Sequence, residues 1–146
     1  MRNRVSILHG VNLDTLGRRP AEHYGDLTLA RLEVRIGDFA RELGLEAIFF
    51  QTNHEGEYVE ELHKAPDYSD ALILNPGAWT HYAWAIRDAL EVSGLPAVEV
   101  HLSDVDAREE WRRTSVVRDR CFARVSGQGG EGYRQALEAV KRKLGV

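Results

Sequence analysis

Glu99 and His101 interrupt an apolar run in "AVEVH", residues 97 to 101. Two residues apart on a strand, their side chains point to one face. A carboxylate beside a histidine orients the ring and fixes its tautomer, a setting for general acid or base work. A second collection is "LHGVNLDTLGRRPAEHYG", residues 8 to 25, which carries Asn12, Arg19 and Tyr24. That stretch is too polar for core and too long for a tight turn. A third is "NPGAWTH", residues 75 to 81, with Asn75 and His81 at its ends. Arg108 and Arg112 are four apart, on one face if helical, and could bind an anion. Arg, His, Tyr and Asn together, with no metal or cofactor motif, suggest proton transfer on a small anionic metabolite. Each residue also has a plainer reading. An Asn after a strand is often a turn former, His54 a solvated loop residue, and Arg108 and Arg112 ordinary surface charges.

These residues need elements to position them, and the apolar period supplies the pattern. Val5 to Leu8, Ala47 to Phe50, Ala71 to Leu74, Ala97 to Val100 and Phe122 to Val125 read as short buried strands. Between them, Leu29 to Leu43 steps by three and four as an amphipathic helix, with Thr28 as N-cap and Gly44 as stop. Glu57 to His63 is a second helix, ended by Pro66. His81 to Val92 is a third, with Thr80 as N-cap and Gly94 in its stop. Asp106 to Arg113 reads as a short helix, and Gly130 to Leu144 as the last. Strands alternating with helices argue a parallel sheet covered on both faces. The expected fold is α/β, a flavodoxin-like doubly wound five-stranded parallel sheet of order 2-1-3-4-5, with residues 1–146 as a single domain. Ligands bind such sheets outside the carboxyl ends of the strands, where strand order reverses. That crevice lies between the first and third strands. Four of the six histidines follow strands: His9, His54, His81 and His101.

Bulk properties exclude several classes. The 146 residues carry a net charge of -4, which gives no electrostatic footprint for nucleic acid. No apolar run approaches the ~20 residues of a membrane span, and no signal peptide precedes the first strand. Cys121 is the single cysteine, so no internal disulfide framework forms, in keeping with a reducing cytoplasm. Neither GxGxxG nor GxxxxGK[ST] follows the first strand, and Gly127, Gly129 and Gly130 make only a weak anion nest. Of the 19 basic residues only Lys64, Lys141 and Lys143 are lysines, and none follows a strand where a Schiff base could form.

The blocks "QTNHEGE" (51 to 57), "NPGAWTHYAWAIRDAL" (75 to 90) and "VEVHLSDVDAREEWRRTS" (98 to 115) resemble type II 3-dehydroquinate dehydratases, in order and in spacing. The resemblance runs nearly end to end. It implies a cytoplasmic, flavodoxin-like enzyme of the shikimate pathway without metal or cofactor, assembled as a homododecamer, a tetramer of trimers. Its substrate would be 3-dehydroquinate, dehydrated to 3-dehydroshikimate by anti elimination through an enolate. By the same resemblance Tyr24 is the base, and Arg19 on a mobile lid favours the tyrosinate. Asn12 holds a water that stabilises the enolate. His101 is the acid for the leaving hydroxyl, oriented by Glu99. Asn75, His81 and Arg112 bind substrate hydroxyls, and the amides of Leu102 and Ser103 receive the carboxylate. Arg108 contacts the lid, and Asp88 reaches a neighbouring subunit's site. The chemistry is coherent. Tyrosine titrates near ~10, and a nearby guanidinium favours the charged form by about 1–3 units. The long loop would then be a lid that carries the base and excludes water when shut.

The first motif departs from the family's usual Asn-Gly-Pro-Asn-Leu-Asn: it reads His9-Gly10-Val11-Asn12-Leu13-Asp14. Arg19 is followed directly by Pro20 where the family has Arg-Glu-Pro. Trp79 replaces a Tyr, Asp104 an Asn, and Asp106 a His or Tyr. Two alternatives stay open on sequence: a divergent paralogue that binds a related cyclic polyol acid with little turnover, and a flavodoxin-like binding or signalling module. The Tyr82, Trp84, Ile86 and Arg87 cluster makes the third helix more apolar around its girth than one sheet face requires, which hints at a second buried face.

Overall fold

The computed structural model describes residues 2–24 and 27–146, apart from the side chains of Glu22 and Tyr24. Five parallel strands form one sheet of order β2-β1-β3-β4-β5. They are β1 (Arg4–His9), β2 (Glu46–Gln51), β3 (Ala71–Asn75), β4 (Ala97–His101) and β5 (Ala123–Ser126). The inner strands β1, β3 and β4 are buried along almost their whole length, which is why they read as continuous apolar runs.

The helices are α1 (Ala21–Tyr24), α2 (Leu29–Glu42), α3 (Glu55–Lys64), α4 (Trp84–Ser93) and α5 (Gly132–Leu144). Two cores result, one on each sheet face. Leu32, Ile36 and Phe39 of α2 and Tyr133, Leu137 and Val140 of α5 meet Val5, Ile7, Ile73, Val98 and Val100. On the other face Tyr58 and Leu62 of α3 and Ile86 and Leu90 of α4 meet Leu8, Leu72, Leu74 and Ala97. The expected flavodoxin-like order is therefore observed. Thr28 caps α2 by accepting the Arg31 N–H, and Gly44 ends it at φ 73°. Among the described residues no helix is long and apolar enough to cross a membrane.

Several boundaries differ from the sequence reading. The third helix does not begin at His81. Residues Gly77–His81 form a 3-10 turn, and α4 starts at Trp84 after Ala83. Thr80 is no N-cap; its hydroxyl is buried without a hydrogen-bond partner. Asp106 to Arg113 is not one helix but two 3-10 turns, Val105–Ala107 and Glu110–Arg113. Arg108 sits between them in extended backbone. The last strand begins at Ala123, one residue after the half-exposed Phe122. Nor is the long first loop wholly polar: Leu13 and Leu16 are buried in the α2–α5 core, which moors the loop near its root.

One ion pair fixes the start of the sheet. The Arg4 amide and Nε both donate to Asp70 Oδ2, at 3.0 and 3.2 Å. The Arg4 hydrogen bonds hold the Asp70 carboxyl below its usual range, against a smaller opposing push from burial. A depressed carboxyl stabilises the fold fully above its unfolded pKa, about 3.9. That contribution is lost as pH falls through the folded value. Asp70→Asn is expected to lower the melting temperature at pH 7 and to flatten its acid dependence below about pH 4, measured by thermal denaturation across pH. An unchanged acid slope would contradict this role.

Candidate active site

The site forms where β1 and β3 diverge at their carboxyl ends. Two glycines let the loops after these strands touch. A Cβ on Gly10 would lie 2.2 Å from the Pro76 carbonyl oxygen, and one on Gly77 2.6 Å from that of Val11. Gly77 also needs its φ of 67°, a region that costs glycine little. The Gly10 amide donates to the Asn75 carbonyl at 2.8 Å. These contacts form the floor of a cleft at the carboxyl ends of the two strands.

Asn12, Arg19, Asn75, His81, His101, Leu102, Ser103, Arg108 and Arg112 all line this cleft. Residues from the loops after three strands, β1, β3 and β4, spread over a hundred positions, thus come together. Asn12 stands at φ 69°, the only non-glycine at positive φ among the described residues. The β2 loop supports it: the Asn12 amide donates to Asn53 Oδ1 at 2.8 Å, and Asn53 Nδ2 donates to Asp14 at 3.0 Å. With Val11 in the usual proline position, these bonds hold the turn instead, and the unusual Asp14 is part of them. Asn75 is buried, and its Oδ1 accepts the Gly77 amide at 3.2 Å, leaving its NH₂ as the side chain's remaining donor group.

His101 and Glu99 lie on one face of β4. His101 Nε2 donates to Glu99 Oε2 at 2.5 Å, and Ser115 Oγ donates to Oε1 at 2.9 Å. Glu99 is fully buried. Burial pushes its carboxyl up, but the hydrogen bond and charge of His101, the Ser115 hydroxyl and the Arg124 guanidinium together hold it below the usual range. With Nε2 committed to the carboxylate, Nδ1 is the ring nitrogen left to serve a ligand. His81 stacks near His101, ring centroids 6.4 Å apart, and meets Trp111 edge-on at 5.2 Å. Its Nδ1 donates to the Thr114 carbonyl at 2.6 Å. Burial, helped by the charges of His101 and Arg112, pushes the His81 pKa below its ordinary value despite that bond. It is therefore neutral at pH 7, with Nε2 free to accept.

Arg19, Arg108 and Arg112 make the cleft cationic. Arg108 Nη1 donates to Ser103 Oγ at 3.3 Å. Arg112 is held by Glu109 at 2.9 Å and lies 4.2 Å over the Trp111 ring. The two converge by loop geometry, not as neighbours on one helix. The Leu102–Ser103 backbone is fixed from β5: the Gly127 amide and Ser126 Oγ each donate to the Ser103 carbonyl at 3.1 Å, and the Gly129 amide donates to that of Leu102. The glycines after β5 thus clamp the β4 loop, and the Gly127 and Gly129 amides are spent there rather than on an anion.

Two of the four strand-end histidines do not reach the cleft. His9 is fully buried, stacked on Phe49 at 6.2 Å, with Nε2 3.3 Å from Glu33. It is a core histidine. His54 is an exposed residue at the start of α3. Asp88 lies exposed on α4, away from its own chain's cleft. The Tyr24 side chain lies outside the described part of the structure; its backbone closes α1, four residues beyond Pro20. Three supporting residues escaped the sequence reading: Asn53, Ser115 and Arg124. Only Arg124 carried a usable signal, the one that exposed Glu99: a charge inside a strand.

This is a flavodoxin-like α/β protein whose crevice gathers a histidine–carboxylate pair and three guanidinium groups. Residues 3–141 match the family model for class II dehydroquinases. The chain is 46% identical over 141 residues to a 3-dehydroquinate dehydratase of Thermotoga maritima, covering 97% of this chain and 96% of that protein. It is 43% identical to one from Syntrophotalea carbinolica, covering 98% and 97%. The crystal structure of a type II dehydroquinase from Butyrivibrio crossotus superposes with a TM-score of 0.92 at 36% identity, covering 96% and 98%. The chain belongs to the class II dehydroquinases.

Proposed function

We propose that this chain, acting as one catalytic domain, dehydrates 3-dehydroquinate to 3-dehydroshikimate through an enolate, with water lost in the anti sense. The observation that carries the reading is the convergence on one cationic cleft of His101, backed by buried Glu99, with Asn12, Asn75 and His81. The substrate carboxylate docks at the Leu102 and Ser103 amides in the field of the arginines. Tyr24, with Arg19 beside it, takes the proton next to the ketone. A water held by Asn12 donates a hydrogen bond to the enolate oxygen and stabilises its charge. His101 gives its proton to the leaving hydroxyl, and Glu99 holds the ring for that step. Asn75, neutral His81 and Arg112 bind the ring hydroxyls and fix the pose. The stereochemical course tests this. Substrate deuterated at the hydrogen anti to the leaving hydroxyl is expected to give product without the label; retained deuterium would exclude anti elimination.

The route uses neither a Schiff base nor a metal. Borohydride with substrate is expected to leave activity and protein mass unchanged, and EDTA to leave the rate unchanged. A substrate-dependent mass adduct on a lysine would overturn it.

The working form is an oligomer built from trimers, a dodecamer in the cytoplasm, with Asp88 reaching a neighbour's site. Tyr82 and Trp84 support this, being 57% and 63% exposed just before and at the start of α4; adjoining exposed aromatics mark surfaces that a partner covers. Light scattering is expected to give a mass well above the 16.5 kDa monomer. Asp88→Ala is expected to reduce activity more than stability. A fully active monomer would refute the shared site.

A further inference from the structure

Arg124 is a charged residue in the β5 strand, paired in register with Glu99 of β4. Register partners on neighbouring parallel strands present their side chains to one face. Arg124 Nε lies 3.5 Å from Glu99 Oε2, the oxygen that also receives His101. This Nε is buried and makes no hydrogen bond. The far end of the guanidinium reaches outward, with Nη1 3.6 Å from Asp106 Oδ2. Asp106 belongs to the Val105–Ala107 turn, and Val105 lines the cleft. Arg113 Nε donates to the Asp106 carbonyl at 3.2 Å, which ties that turn down from outside.

A guanidinium in this position is costly unless it serves the carboxylate. An apolar residue would pack against the sheet without desolvating a charge. Among the described residues, Glu99 is within ion-pair distance of only His101 and Arg124. Whenever His101 is neutral, Arg124 is therefore the sole cation balancing a fully buried carboxylate. We propose that Arg124 is a positioning residue for the Glu99–His101 pair: braced by Asp106, it holds the carboxylate in place and shares its charge, so that His101 can release its proton to the cleft. The proposal rests on the dehydratase reading for its kinetic consequence.

Without Arg124 the carboxylate grips the imidazolium more tightly and makes it a poorer acid. Around the pair stand Arg124 on β5, Ser115 and Cys121 from the segment after β4, and His81 from the β3 loop, which Arg112 influences in turn. Removal of one cation from this set favours the protonated ring.

The test uses the full-length protein. Arg124→Gln removes the charge and keeps a polar side chain; Arg124→Lys keeps the charge without the planar fork. Arg124→Gln is expected to lower kcat about tenfold, the effect of roughly one pKa unit on a proton donor. KM should stay within about twofold, since Arg124 does not line the cleft. Arg124→Lys should recover most of the rate. In a Glu99→Gln background, Arg124→Gln should add little. Unchanged kcat, or an equal loss in the Glu99→Gln background, would overturn the proposal. A second readout needs no turnover. The midpoint of the His101 ring titration, followed by NMR, should rise in Arg124→Gln; an unmoved midpoint would also overturn it. An inactive wild type would defeat the dehydratase reading and leave the ring titration to decide the role of Arg124.

Discussion

Tyr24→Phe is expected to bind 3-dehydroquinate with near-normal affinity while kcat falls by at least ~100-fold. The substitution keeps the ring and removes the only atom able to accept a proton. The cleft itself offers few rivals for the base. His101 is committed to Glu99 as the acid, so neutral His81, whose Nδ1 is held by the Thr114 carbonyl and whose Nε2 can accept, is the rival among the described residues of the cleft. Asn75 and Asn12 are not bases, and the arginines stay charged at any working pH. The buried tyrosines are unsuitable: burial pushes the hydroxyl pKa of both Tyr58 and Tyr133 well above the ordinary value. Tyr24 follows Arg19 by five residues, and Arg19 lines the cleft. Titration calorimetry with substrate or product, beside steady-state rates, separates binding from turnover. Near-normal turnover in Tyr24→Phe would remove Tyr24 from the mechanism.

Glu99→Gln and His101→Ala are each expected to lower kcat, by about 10²- to 10⁴-fold for the loss of the acid itself. The double variant should cost little more than the worse single. The reason is geometric. Glu99 is fully buried and meets His101 at 2.5 Å, so its influence on a ligand runs through the imidazole. Once the imidazole is gone, nothing remains for the carboxylate to orient. Glutamine is the informative replacement because it preserves volume and hydrogen bonding. Alanine would leave Arg124 facing a void and confuse catalysis with stability. Fully additive losses would show that Glu99 acts by another path.

The parts of this molecule that the sequence made legible share a physical cause. β1, β3 and β4 are buried on both faces, so their apolar runs stand out, and their alternation with helices implies a parallel sheet, whose order is 2-1-3-4-5. Glu99 and His101 were visible as polar residues inside such a run, and the structure places both on one face with a direct hydrogen bond. Arg124 carried the same mark on β5, but that strand's partial burial made its pattern weaker. Elsewhere tertiary contacts override local rules. Thr80 and His81 suggest a helix start, yet the loop between Pro76 and Tyr82 tightens into a 3-10 turn because Gly77 must pass against Val11. The i, i+4 spacing of Arg108 and Arg112 suggests one helix. In fact Arg108 is extended and bonds to Ser103, while Arg112 belongs to a separate turn. Asn53 and Ser115 could not be found locally, because their partners lie 41 and 16 residues away. His9 shows the converse: a histidine after a strand that belongs to the core, between Phe49 and Tyr133.

The most direct measurement is the ultraviolet absorbance of the conjugated enone when purified protein meets 3-dehydroquinate. Continuous formation of 3-dehydroshikimate is expected over many turnovers, without added metal or cofactor, and is expected to be lost in His101→Ala. Saturable binding of 3-dehydroquinate with no enone would contradict the assigned catalysis. Failure to bind at all would contradict the assignment of the cleft.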